Sequence, residues 1–139
     1  MKLGRKIGFG FSILLALFIV LAIWYKYAYS MDEVVPWEVN SQKAPTKIVL
    51  ATQGSEFKNE ITQNITEHYK LDPVYLKIID IKLLANVNPM DYDAIVILHT
   101  WENWKPPTAV KDFTERAKPY KEKIIMLSTS GSGSSKIED

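Results

Sequence analysis

Four short apolar runs punctuate the chain from Lys47 onward. They are rich in β-branched residues, which favour strands, and they cover Lys47–Ala51, Val74–Ile79, Ala94–Leu98 and Lys123–Ser128. Helical or turn-forming segments separate these runs, and this alternation predicts an α/β fold with one parallel sheet and helices on both faces. Because the first and third runs are the most apolar, we expect them at the centre of the sheet, in the order 2-1-3-4.

The first run leads into a turn and then into an amphipathic helix. The turn comprises Thr52, Gln53, Gly54 and Ser55, and Ser55 is suited to cap the helix. Apolar residues then recur at every fourth position in a stripe that we expect to face the sheet: Phe57, Ile61, Ile65 and Tyr69. The loop that joins a strand to a helix N-terminus can hold an anion, because unpaired backbone N–H groups and the helix dipole converge there.

The N-terminal part of the chain has the composition of a membrane-spanning helix. Residues 7–25 carry no charge, and at about 1.5 Å per residue they are just long enough to cross a hydrocarbon core of roughly 30 Å. Three basic residues precede this run and only Lys26 closely follows it, so we expect a cytoplasmic N-terminus and an extracytoplasmic domain. The sequence thus predicts a membrane anchor over 1–30, a linker over 31–46 and a folded domain over 47–139.

A cleaved signal peptide is the alternative interpretation of the N-terminal run. Ala28-Tyr29-Ser30 has the small-x-small spacing of a cleavage site after Ser30. Trp24, Tyr25 and Tyr27, however, form an aromatic belt of the kind found where a retained helix leaves the membrane. We therefore favour a retained anchor that contacts membrane lipid through residues 7–25.

Small residues recur at every fourth position of the same run: Gly4, Gly8, Ser12 and Ala16. Such a face lets two membrane helices approach closely and could support a homodimer, although small residues are also simply common in membrane helices.

Charge and cysteine content limit the classes of function that residues 31–139 can have. Four of the 17 basic residues and none of the 16 acidic ones lie in the first 30 positions, which leaves residues 31–139 with a formal charge of −3. Because clustered Lys and Arg provide most of the affinity for a phosphate backbone, we do not expect nucleic-acid binding. The chain has no cysteine, which excludes disulfides and thiolate chemistry.

Three loops follow the carboxyl ends of predicted strands, where parallel sheets bind their ligands. These loops are residues 52–55, 99–106 and 128–133. The second carries Trp101 and Trp104, either of which could stack on a flat ring or could instead cap the core. No nucleophile motif or metal-ligand spacing accompanies them, and a lone histidine such as His99 is more often structural than catalytic.

From Lys47 to Gly133 this order of elements resembles a flavodoxin. The resemblance rests on the hydroxyl- and glycine-containing turn, Tyr92-Asp93 before a buried strand, the Thr100-Trp101 loop, and a lysine-led strand that runs into a Ser-Gly loop. It implies a three-layer sandwich that binds flavin mononucleotide (FMN) and acts in electron transfer with a redox partner protein. The implied cofactor-binding residues are Thr52, Gln53, Gly54, Ser55, Thr100, Trp101, Trp104, Ser130 and Gly131.

Two departures from the flavodoxin pattern keep a second function open. Glu56 occupies the position where the family commonly has another hydroxyl, and a carboxylate beside a phosphate is repulsive. The chain also stops in the fourth loop, so we expect a trimmed or incomplete version of the fold. The sequence therefore predicts either a flavin-dependent oxidoreductase or electron carrier, or a module without cofactor that serves in protein interaction or assembly.

Overall fold

The computed structural model describes residues 2–29, 31–102 and 104–129. The first helix, α1, spans Lys2–Tyr29, and its section Gly8–Ala28 is long and apolar enough to cross a membrane. The chain divides into two units, Met1–Met31 and Asp32–Asp139. A long apolar helix is what the run of Leu, Ile, Phe and Ala predicts.

The second unit is built on a sheet whose five strands are β1 (Trp37–Val39), β2 (Thr46–Thr52), β3 (Val74–Asp80), β4 (Ala94–Thr100) and β5 (Ile124–Thr129). Their spatial order is β1-β3-β2-β4-β5. The four predicted strands correspond to β3, β2, β4 and β5, and these four run parallel to one another. The predicted sheet is therefore confirmed only in part, because β1 adds a fifth strand that pairs antiparallel with β3.

The helical segments lie on both faces of the sheet. Helix α2 spans Glu56–Tyr69 and follows β2, and helix α3 spans Thr108–Arg116 and follows β4. Short 3₁₀ turns cover Ile81–Asn86, Pro89–Asp91 and Lys118–Lys123. Pro89 and Pro119 lie at the starts of two of these turns, where the missing N–H of proline costs nothing.

The apolar core is concentrated on the α3 face of the sheet. There Phe113 and Val110 of α3 pack with alternate residues of β2 and β4 and with Leu84 of the first 3₁₀ turn. The α2 face has a smaller buried cluster, formed by Leu50, Leu76 and Ile78. The sheet is consequently packed much more extensively on one side than on the other.

The predicted apolar stripe of α2 faces the sheet only in part, because Ile65 packs against the α2-face cluster while Phe57 does not. The residues that α2 buries are Lys58, Thr62 and Thr66, and the two threonine hydroxyls donate to carbonyls of their own helix. Phe57, at the start of the stripe, is 58% exposed. An amphipathic stripe shows which side of a helix is apolar, but it does not show that another element covers that side.

Residues 32–46, which lie within the predicted linker, belong to the second unit. They contribute β1, and Asn40 ends that strand with a positive φ of 66°. The Asn40 side-chain amide donates hydrogen bonds to the carbonyls of Tyr69, Asp72 and Val74. Asparagine tolerates this backbone conformation better than most residues, and its amide ties β1 to the connection between α2 and β3.

Candidate functional site

The turn after β2, predicted to bind phosphate, is covered by a preceding segment of the same chain. The Gly54 N–H donates to the Asp32 carbonyl at 2.8 Å, and the Asp32 N–H donates to the Gly54 carbonyl at 3.1 Å. A Cβ atom placed on Gly54 would lie 2.6 Å from the Asp32 carbonyl oxygen. Glycine is thus required here because two backbone segments touch.

We call Asp32–Val34 the N-terminal strap, and a buried carboxylate fixes its other end. Asp80, at the end of β3, accepts a hydrogen bond from the Val34 N–H at 2.9 Å through Oδ2. Its Oδ1 accepts from the Lys82 N–H at 2.9 Å and caps the following 3₁₀ turn. Glu33 forms an exposed ion pair with Lys82. The strap is therefore bonded to the carboxyl ends of both β2 and β3.

Ser55 caps α2, as predicted, and is engaged within its own helical turn. Its hydroxyl accepts from the Lys58 N–H at 3.3 Å, and it also lies 3.3 Å from the Lys58 ammonium nitrogen. Glu56 is exposed in the first turn of the helix, where a negative charge favours the helix dipole. One backbone N–H at the helix N-terminus is thereby capped by the preceding residue of the helix itself.

The side chain of Gln53 bridges β2 to the loop after β4. Its Oε1 accepts from the Thr100 N–H at 2.8 Å, and its Nε2 donates to Glu102 Oε1 at 3.1 Å. The hydroxyls of Thr100 and Thr129 lie 2.8 Å apart. The Thr52 hydroxyl donates to the Gln53 carbonyl at 3.2 Å. These polar groups hold three strand ends together.

The two tryptophans of the predicted site differ in how they are held. The Trp101 N–H donates to the Thr129 carbonyl, and its side chain is 39% exposed. Trp104 is 86% exposed and has a positive φ of 63°. It lies inside a tight turn closed by mutual backbone hydrogen bonds between Glu102 and Lys105. Ser130 and Gly131, also predicted for this site, lie outside the described residues.

Sequence reasoning missed two buried charged residues at this edge, Lys58 and Asp80. Burial lowers the pKa of the Lys58 ammonium, and the nearby Glu102 carboxylate acts in the opposite direction. Asp80 is also buried. The available signal was the isolation of Asp80 between Ile79 and Ile81, because a carboxylate inside an apolar run needs hydrogen-bond donors.

His99 lies at the end of β4 as a fully buried residue. Its Nε2 is 2.9 Å from the Ser128 hydroxyl of the neighbouring strand. Burial lowers the pKa of His99, and the positive charge of Lys58 lowers it further. A buried imidazole bonded to a serine in the adjacent strand fits a structural role better than that of an exposed base.

We expect the stability of the protein to fall as the pH drops below about 6.5, the ordinary pKa of histidine. Since the folded state lowers the pKa of His99, the unfolded chain binds the proton first, and acid favours unfolding. Urea unfolding followed by tryptophan fluorescence measures this, and His99→Gln should flatten the pH dependence. His68→Gln, at an exposed position of α2, is the matched control and should leave it unchanged.

A cleft of about 460 Å³ lies between α2 and the segment that contains the strap and β1. Its walls include Val34, Trp37 and Val39 on one side and Thr62 and Thr66 on the other. Of the predicted flavin contacts that the structure describes, only Thr52 lines it. Among the described residues, no group of three or more His, Cys, Asp or Glu side chains could hold a metal ion.

Comparisons with protein-family models, with curated proteins and with solved structures found no match.

The residues at the predicted site fit FMN poorly. A phosphate needs free backbone N–H groups, but the Gly54 N–H is bonded to Asp32 and the Thr100 N–H is bonded to Gln53. The exposed carboxylates of Asp32 and Glu56 flank the turn and would repel a phosphate, whereas the ammonium of the buried Lys58 lies against the Ser55 hydroxyl. The chain itself therefore occupies two of the backbone donors at the predicted site.

Proposed function

We propose that this chain is a membrane-anchored protein-interaction module, with a flavodoxin-like three-layer domain that works without a cofactor. In this proposal α1 is a retained single-pass anchor and the domain lies on the extracytoplasmic side. The observation that supports the proposal is the pair of backbone hydrogen bonds between Asp32 and Gly54, because the N-terminal strap then covers the turn that was predicted to bind phosphate.

The strap is anchored at more than one point, which makes simple displacement by a phosphate costly. Asp80 holds the Val34 N–H, and Gly54 is shaped to admit the strap backbone. A phosphate would have to break these bonds and approach Asp32 and Glu56. The two backbone hydrogen bonds to Gly54 contribute roughly 0.5–1.5 kcal/mol each and the bond to the Asp80 carboxylate roughly 1.5–3 kcal/mol, so the strap competes effectively with a phosphate.

A flavin-dependent electron carrier with its redox partner is the second candidate, and one observation favours it. Trp101 and Trp104 are exposed at the carboxyl edge of the sheet, where a flat ring could stack. The ring would then have to be held without the phosphate contacts of the first loop.

A flavin titration separates the two functions. We expect no saturable quenching of flavin fluorescence by the full chain in detergent, with FMN or with riboflavin. Glu56→Thr should leave this result unchanged and cost a few tenths of a kcal/mol of stability, because it removes a favourable charge at the N-terminus of α2. Glu60→Thr, also exposed on α2, is the control for a lost carboxylate away from the turn.

Saturable binding of FMN but not of riboflavin would contradict the proposal, because it would require an open phosphate site. In that case Glu56→Thr should tighten FMN binding about tenfold, since removal of a like charge and gain of a donor are together worth roughly 1–2 kcal/mol.

A further inference from the structure

Three exposed aromatic side chains lie at the carboxyl edge of the sheet, where the parallel strands end. Trp101 and Trp104 follow β4, and Phe57 lies in the first turn of α2, just after β2. Strands β2 and β4 are neighbours, so the segments that carry these side chains start from strands about 4.8 Å apart. Trp104 and Phe57 are more than half exposed. Large apolar side chains exposed together at one edge of a domain indicate an interaction surface.

The chain between α1 and the strap is short. The section of α1 that could cross a membrane ends at Ala28, only four residues before Asp32. Four residues span at most about 14 Å even when fully extended. The strap is bonded to Gly54 after β2 and to Asp80 at the end of β3. The carboxyl edge is therefore tethered within a short distance of the point where the chain would leave a bilayer.

The amino edge of the sheet, where the parallel strands begin, is much further from this tether. Strand β2 has seven residues and is about 23 Å long. Leu71 and Met90 are exposed in the segments that precede β3 and β4, at this far edge. The tether thus distinguishes the two edges, and the one that it holds near the bilayer is the aromatic one.

We propose that Phe57, Trp101 and Trp104 contact the lipid headgroup region of the membrane that α1 spans. This inference rests on the proposed function, because it needs a retained anchor. Tryptophan favours the membrane–water interface, and Trp and Phe side chains are among the groups that proteins insert into it without spanning it. Because the tether keeps the edge at a high effective concentration beside the bilayer, a few side chains suffice for the contact.

The lipid surface that fits this edge is zwitterionic. Among the described residues, the exposed charged side chains of the carboxyl edge are Asp32, Glu33, Glu56, Glu102, Lys82 and Lys105. Four of these are acidic and two are basic, which gives the edge a formal charge of −2. Anionic headgroups attract basic segments and would repel this edge. Aromatic contacts, and not lipid charge, therefore hold it to the membrane.

A fluorophore on a single cysteine measures this contact, because the chain has no native cysteine. Lys105→Cys places an environment-sensitive nitrobenzoxadiazole probe beside Trp104. Lys43→Cys, in the exposed segment just before β2, places it at the amino edge and is the matched control. The full chain with one probe is reconstituted in phosphatidylcholine nanodiscs, with or without a lipid that carries a nitroxide quencher at its headgroup.

We expect the nitroxide lipid to quench the Lys105→Cys probe at least threefold more strongly than the Lys43→Cys probe. Trp104→Asn with Phe57→Ser should reduce the quenching at Lys105→Cys by at least half, and asparagine tolerates the positive φ at position 104. Leu71→Ser removes an exposed apolar side chain at the amino edge and should leave the quenching unchanged. Added phosphatidylglycerol should not increase it.

Equal quenching of the two probes would overturn the proposed contact. Quenching at Lys105→Cys that survives Trp104→Asn with Phe57→Ser would also overturn it, because the tether alone would then account for the proximity. Quenching that rises with phosphatidylglycerol would assign the contact to basic side chains and refute the aromatic one.

Alkaline carbonate extraction separates a failure of this inference from a failure of the proposed function. A chain that carbonate releases from membranes has no retained anchor, which would refute both. A chain that stays in the membrane but fails the quenching test would refute the aromatic contact alone. The flavin titration in detergent tests the absence of a cofactor independently of either result.

Discussion

Replacement of Gly54 by valine is expected to lower the free energy of unfolding by about 2–3 kcal/mol, near the upper end of the usual cost of overpacking. The added Cβ would lie 2.6 Å from the Asp32 carbonyl oxygen and 2.8 Å from the Asp32 Cβ. Because the nearest atom is backbone, no side-chain rotation relieves the contact. The strap has to move away and lose its two hydrogen bonds to Gly54.

Urea unfolding of the full chain measures this effect, and Gly54→Ala should give a smaller loss of the same sign. Gly10→Val is the matched control, since nothing lies within 4 Å of a Cβ at that position. A Gly54→Val protein as stable as the wild type would show that the strap does not rest on Gly54.

Removal of the Asp80 carboxylate is expected to cost about 2–3 kcal/mol of stability, the range for hydrogen bonds to charged groups. Asp80→Ala leaves the Val34 and Lys82 N–H groups without their acceptor. Asp80→Asn keeps one acceptor oxygen and should cost less. Asp112→Ala removes an exposed carboxylate of α3 and should change stability by less than about 0.5 kcal/mol.

The two substitutions should also be non-additive, because both release the strap. Gly54→Val displaces Asp32 and therefore weakens the strap's attachment before the hydrogen bond from Val34 to Asp80 is removed. The double variant should consequently lose less free energy of unfolding than the sum of the two single losses. Strict additivity would mean that the two ends of the strap bind independently.

The sheet could be predicted because its signal is local. Runs such as Lys47–Ala51 and Ala94–Leu98 are apolar on both faces, and such runs suit central parallel strands. Strand β1 could not be found in this way. It has only three residues and follows Pro36. Pairing with the edge of β3 and the hydrogen bonds of the Asn40 amide hold it as a strand.

The predicted site shows the same division between local and non-local signals. The Ser55 cap follows from residues within one helical turn, and it was predicted correctly. The partners of Gly54 and Gln53 lie more than twenty residues away in each case, at Asp32 and at Thr100 and Glu102. A sequence pattern identifies groups able to bind a ligand, but it does not show that distant chain segments already occupy them.

The polar inner side of α2 affects how the domain opens. Lys58, Thr62 and Thr66 fill the interface where a helix usually buries aliphatic side chains, and burying such groups returns little free energy. The α3 side holds a far larger apolar cluster. Amide hydrogens of α2 should therefore exchange with solvent through a local opening, well before those of β2 and β4, so the domain consists of two cooperative units of unequal stability.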